Sequence, residues 1–153
     1  MNGGKDRFFE HQFRGKSCND CFVNSFDGSP MIDRGLYKSI PLHGRRITLC
    51  GSTRFRDAFD FWNTHLTLAG NAVYSVAVDA HSEARDSAPT ESEKILLDEV
   101  HLLKITNSDS IFVLDVNGYV GASTTREIAF ARSRGKEIYY LSKLFPEMAK
   151  RSA

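Results

Sequence analysis

A chain of 153 residues with a formal net charge of +1 suffices for one domain that buries roughly two thirds of the surface its unfolded chain exposes, so its core needs no disulfide. Lysines, arginines and carboxylates are interspersed without a basic stripe; this excludes a nucleic-acid or membrane-surface binder and leaves free nucleotides or other small molecules as partners. No apolar run approaches the ~20 residues of a membrane span and the polar start lacks a signal-peptide core, so a cytoplasmic protein is expected.

Residues 1–44 carry Gly, Ser, Asp and Asn among phenylalanines with no sustained period of 2 or 3.6, and read as an irregular N-terminal extension in which Met31 is a second candidate start. Its phenylalanines are too many for a solvated tail, and are expected to dock on the main domain or on a partner subunit. Cys18 and Cys21 form a CxxC there, with Cys50 the remaining cysteine. A zinc site would have to recruit His11 and His43 at irregular spacing, so two ordinary thiols are expected rather than a metal-stabilised interaction module.

Regular patterning begins at residue 45 and continues to 153. "RITLC" (46–50) is a strand that stops at Gly51, and "RFRDAFDFWNTHLTLAG" places Phe55, Ala58, Phe59, Trp62, Leu66 and Ala69 at helical spacing before Gly70 ends the helix. "AVYSVAV" (72–78) is the second strand. Thr90 and Glu93 form a capping-box pattern ahead of a helix expected to bury Ile95, Leu96, Val100, Leu102 and Leu103. "IFVLDV" (111–116) is the third strand, "YVGASTTREIAFA" opens a third helix closed at Gly135, and "EIYYLS" (137–142) is the fourth strand. This alternation predicts a doubly wound α/β fold, a flavodoxin- or Rossmann-like three-layer sandwich with a short parallel sheet of order 2-1-3-4.

Ligands of such sheets bind beyond the carboxyl ends of the strands where strand order reverses. That selects "CGSTRF" (50–55), "DAHSEARD" (79–86) and "DVNGYVGAST" (115–124). Gly51, Ser52, Thr53 and Arg54 on one side, and Asn117, Gly121, Ser123 and Thr124 on the other, supply close backbone approach, hydroxyl donors and a cation at two helix N-termini, a set suited to a phosphate. Taken singly, the hydroxyl residues are also ordinary N-caps. Asp79 and His81 at the end of the second strand are candidates for recognising a base, by position alone. Neither loop is a Walker A or GxGxxG motif, which excludes those ATPase and dinucleotide classes. Glu127 has two readings: Thr124-x-x-Glu127 is a capping-box pattern, and a carboxylate beside such a crevice is also a candidate nucleophile.

Taken together, "LCGSTRF", "NSDSIFVLDV" and "GASTTREIAFARSRGK" resemble the nucleoside 2-deoxyribosyltransferase family and the related 2'-deoxynucleoside 5'-monophosphate N-hydrolases, over about residues 46 to 142. The resemblance implies that Glu127 attacks the anomeric carbon of a nucleoside or nucleotide, with water or a second base completing hydrolysis or transfer. It implies no metal or organic cofactor, and it implies a homo-oligomer whose sites borrow neighbouring residues. Two family carboxylates are replaced: His101 stands about eight residues before Asp109, and Gly121 six before Glu127. Asp98, one helical turn before His101, is expected to hold it as a proton donor and sugar-orienting pair. A non-catalytic nucleotide-binding sensor on the same fold is the alternative.

Overall fold

In the computed structural model, residues 35–76 and 89–150 are described. Four parallel strands, β1 (Arg46–Cys50), β2 (Ala72–Tyr74), β3 (Ser110–Val113) and β4 (Glu137–Tyr140), lie in the order β2-β1-β3-β4. Strand order therefore reverses between β1 and β3, whose register runs from Ile47 opposite Ser110 to Cys50 opposite Val113. The amino ends of this central pair are pinned by Asp109. Its Oδ2 accepts the Arg46 backbone N–H at 2.8 Å and its Oδ1 lies 2.6 Å from Arg46 Nη2.

The helices are α1 (Leu36–Ser39), α2 (Arg56–Leu68), α3 (Glu91–Asn107), α4 (Ala122–Ser133), α5 (Leu141–Leu144) and α6 (Pro146–Ala149). Alternation along the strands divides the core between the two sheet faces. Ile47, Leu49, Phe112 and Leu114 pack with Phe59, Trp62 and Leu66 of α2 and with Leu141 and Ala149 of the last two helices. Cys50, Ile111 and Val113 pack on the other face with Ile105 of α3 and with Ile128 and Ala131 of α4. The result is the three-layer, Rossmann-like α/β fold that the alternation predicts. Among the described residues no helix is long and apolar enough to cross a membrane.

Local signals hold where the chemistry is local. Thr90 and Glu93 make both halves of the capping box at the start of α3, and Gly70 (φ +90°) and Gly135 (φ +66°) take the left-handed conformation that ends α2 and α4 cheaply for glycine. Ile40 and Leu42 extend the domain before residue 45: they are buried in the α2-side core, tied there in part by Asn71, whose Nδ2 donates to the Leu42 carbonyl at 2.7 Å. The Phe-rich residues 1–34, with Cys18 and Cys21, lie outside the described residues.

One expectation is overturned. Ile95, Leu96, Val100 and Leu103 do not face the core; Leu96 and Leu103 are each 58% exposed, and the inward residues of α3 are His101 and Ile105, with Leu102 half-buried beside them. The helix is apolar over too much of its circumference for periodicity to choose a face. Packing against the sheet selects the Ile105 side and leaves the Leu96–Val100–Leu103 stripe outward.

Gly51 ends β1 where no side chain fits comfortably. A Cβ there would meet Leu114 Cβ at 3.1 Å, the Leu114 carbonyl oxygen at 3.3 Å and the Phe59 ring at 3.5 Å. Gly51→Ala is expected to destabilise the fold by about 1–3 kcal/mol through overpacking against backbone that cannot yield, measured as a lowered urea midpoint with an unchanged slope.

Candidate active site

Three elements converge on one point of the α3/α4 face. Cys50 is the last residue of β1, His101 comes from the middle of α3, and Glu127 lies beyond the first turn of α4. Cys50 Sγ is 3.6 Å from His101 Nε2, and His101 Nε2 is 3.7 Å from Glu127 Oε2. His101 and Glu127 line a cleft of about 440 Å³ at the strand-order reversal, and Cys50 is buried beside His101 without lining it. The walls of the cleft are the Gly51–Thr53 turn, the segment from Tyr119 to Thr124 and one side of α3 from Lys94 to Lys104.

The start of α4 removes the capping reading of Glu127. The helix begins at Ala122 with Gly121 as its N-cap and no side-chain cap, and Thr124 is a buried residue inside the first turn. The Thr124–Glu127 pair is therefore not a capping box. Glu127 instead turns its carboxylate to the foot of the cleft, where Oε2 is buried without a hydrogen-bond partner.

Burial sets the protonation of this cluster. Desolvation pushes the Glu127 carboxyl up to about 7; Asp98 adds to the rise, and Cys50 and Arg126 oppose it. Desolvation also lowers His101 to about 4, Lys104 lowers it further, and Asp98 opposes this more weakly. Cys50 is raised, by burial first and by Glu127 second, and is a thiol at neutral pH. The site thus holds a neutral imidazole against a carboxyl group that titrates near neutrality.

Among the sequence candidates, Gly51, Ser52, Thr53, Gly121, Ser123 and Thr124 line the cleft together with Glu127, His101 and Asp98. Asp98 and His101 share a helix face, yet Asp98 Oδ2 points to Arg126 Nη2 at 3.7 Å, and His101 Nδ1 has no hydrogen-bond partner. Arg54 stands outside the lining: its guanidinium lies over the Tyr119 ring, 4.1 Å from the centroid, and donates to the Tyr119 hydroxyl at 3.2 Å. Asn117 (φ 52°) shapes the turn after β3 and does not line the cleft. Asp79 and His81 lie outside the described residues. Residues of the site that the sequence did not mark are Cys50, beside His101, and Tyr119 and Lys104 of the cleft lining; Lys104 Nζ donates to the Ser75 carbonyl at 2.6 Å. Cys50 reads as the apolar end of a strand, and Lys104 as a surface lysine; the spacing of His101 and Lys104 on α3 is the one signal that those two share a face.

Fold and site together define a parallel α/β protein with a cleft at its strand-order reversal that Glu127 lines. No family model, curated protein or solved structure matches the chain.

The pKa shifts make opposite contributions to stability. Glu127, raised from 4.5 to about 7, contributes stability present below pH 4.5 and lost as pH rises through about 7; His101, lowered from 6.5 to about 4, contributes stability present above pH 6.5 and lost as pH falls through about 4. Between those limits the two slopes oppose each other. In chelator-treated protein, Glu127→Gln is expected to gain roughly 2–3 kcal/mol relative to the parent between pH 5 and pH 8, because only the parent must bury an ionising carboxylate. Urea unfolding at the two pH values measures the difference. An unchanged difference would mean that Glu127 is better solvated than its burial indicates.

Proposed function

We propose that the protein is a nucleoside 2-deoxyribosyltransferase-like enzyme that cleaves or exchanges the N-glycosidic bond of a deoxynucleoside or nucleoside 5'-monophosphate, with Glu127 as nucleophile. The observation that carries this reading is the placement of Glu127: a buried carboxyl group, free of any capping duty, at the foot of a ligand-sized cleft. In the proposed reaction an ionised Glu127 oxygen attacks the anomeric carbon as its bond to the base nitrogen breaks, giving a glycosyl ester; water or a second base then displaces Glu127. Low polarity around the carboxylate favours this use, since an incompletely solvated anion is the stronger nucleophile.

The low pKa of His101 alters the role first given to it. With a value of about 4, only about one imidazole in a thousand is protonated at pH 7. His101 is better suited to orient the carboxylate across the 3.7 Å that separates Nε2 from Oε2 than to serve as a standing proton donor. For the rest of the substrate, the uncapped first turn of α4 offers backbone N–H groups at the cleft wall, and Lys104 adds a cation; both suit a 5'-phosphate.

Incubation with a panel of deoxynucleosides and their 5'-monophosphates, with and without an acceptor base, tests the reading through chromatography of the released base. The parent is expected to release base, and Glu127→Gln to lose at least about a thousand-fold in turnover while still binding the ligand. Saturable binding by the parent without base release would establish the sensor alternative. Activity is expected to rise with pH to a plateau above about 7, because the nucleophile must ionise.

We also propose a homo-oligomer. Leu96, Val100 and Leu103 form one outward stripe by their i, i+4, i+7 spacing, and Val100 also borders the cleft, so a second copy packed on the stripe reaches the site. Leu96→Glu combined with Leu103→Glu is expected to convert the oligomer to monomer in size-exclusion chromatography with light scattering, with little loss of secondary structure. A parent that is already monomeric would remove this part of the proposal.

A further inference from the structure

The Cys50, His101 and Glu127 cluster has a second chemical capacity that glycosyl transfer does not use. One sulfur, one imidazole nitrogen and one carboxylate oxygen all lie within 4.8 Å of one another. In tetrahedral zinc sites, Zn–S and Zn–N bonds of about 2.3 and 2.0–2.1 Å place the sulfur and nitrogen about 3.6 Å apart, and nitrogen and oxygen ligands about 3.3 Å apart. The cluster shows 3.6 Å for Cys50 Sγ to His101 Nε2 and 3.7 Å for His101 Nε2 to Glu127 Oε2. The third edge, from Cys50 Sγ to a Glu127 carboxylate oxygen, is no longer than 4.8 Å.

A second observation points to a cation. Glu127 Oε2 is buried and has no hydrogen-bond partner, a costly state for a carboxylate oxygen that a directly bonded metal would relieve. Two anionic ligands also balance a divalent ion, so the filled site is neutral where burial penalises net charge. We infer that this protein binds one zinc ion through Cys50 Sγ, His101 Nε2 and the Glu127 carboxylate, with the fourth position open to the cleft. Mixed thiolate, imidazole and carboxylate ligation suits zinc over magnesium or calcium. Binding transfers the Cys50 thiol proton, and any proton on Glu127, to solvent; no redox change is involved. Bound zinc occupies the lone pair that the proposed glycosyl transfer needs, so metal and that chemistry exclude each other at this site. Because His101 Nδ1 lacks a hydrogen-bond partner to steady the ring, the affinity is expected to be micromolar, below that of fully supported sites.

The inference does not rest on the glycosidic reading, and its test uses no substrate. Chelator-treated full-length protein carrying Cys18→Ser and Cys21→Ser, which removes the other thiols, is titrated with cobalt(II) as a spectroscopic stand-in and then with zinc. Expected are one equivalent of cobalt, a thiolate-to-metal absorption band with intense tetrahedral visible bands, and their loss as zinc displaces cobalt. Cys50→Ser should abolish the thiolate band, and Glu127→Gln and His101→Asn should each weaken zinc binding at least about ten-fold in equilibrium dialysis. Circular dichroism confirms that each variant is folded; should Cys50→Ser fail to fold, the other two decide. No saturable uptake at 100-fold excess over micromolar zinc, or uptake unchanged in folded Glu127→Gln and His101→Asn, would overturn the proposal.

Discussion

The reversal of strand order between β1 and β3 is the constraint on which the rest of the molecule depends. Adjacent parallel strands whose connections depart in opposite directions leave a gap above their carboxyl ends, because no crossover covers it. The Asp109–Arg46 contacts pin the other end of the same strand pair, and Gly51 allows β1 to stop hard against Leu114. The width of the cleft is thus set by backbone packing before any ligand-facing side chain is considered.

The same topology puts α3 and α4 on one sheet face and α2 on the other. Cys50 is the only residue of β1 that both reaches the carboxyl end and points toward α3 and α4. It meets one residue from each helix. Around this meeting the surroundings are Ile105, Ile111, Val113 and Ile128, so the three polar groups share an apolar shell, and the solvation that would stabilise their charged forms is missing. A carboxyl group raised to about 7 beside an imidazole lowered to about 4 is the outcome.

Helix α3 has three kinds of surroundings. One side from Lys94 to Lys104 borders the cleft, Ile105 packs on the sheet, and an apolar stripe that meets the cleft at Val100 looks outward. Helix α4 is shorter and is divided along its length, with its first turn at the cleft and Ile128 and Ala131 in the core. The cleft and the outward stripe of α3 therefore adjoin at Val100.

Much of the architecture was legible in the sequence. Strand runs with β-branched and apolar residues, the Thr90–Glu93 cap and the glycines after α2 and α4 are local features, decided by backbone sterics and hydrogen bonds among neighbours in the chain. The strand runs located every described strand, the sheet order followed from the flavodoxin-like topology that the alternation implies, and the rule that ligands sit beyond strand ends selected the small-residue turns that line the cleft. What lay beyond reach depended on contacts between distant residues. Cys50 and His101 meet across 51 positions, and nothing in "RITLC" marks its cysteine as anything but core. The outward turn of Leu96 and Leu103, the Arg54–Tyr119 stack and the neutral state of His101 follow from which surfaces pack together and exclude water. A helical period tells that a face exists; only the assembled layers determine which face is buried, and burial in turn decides where the protons reside.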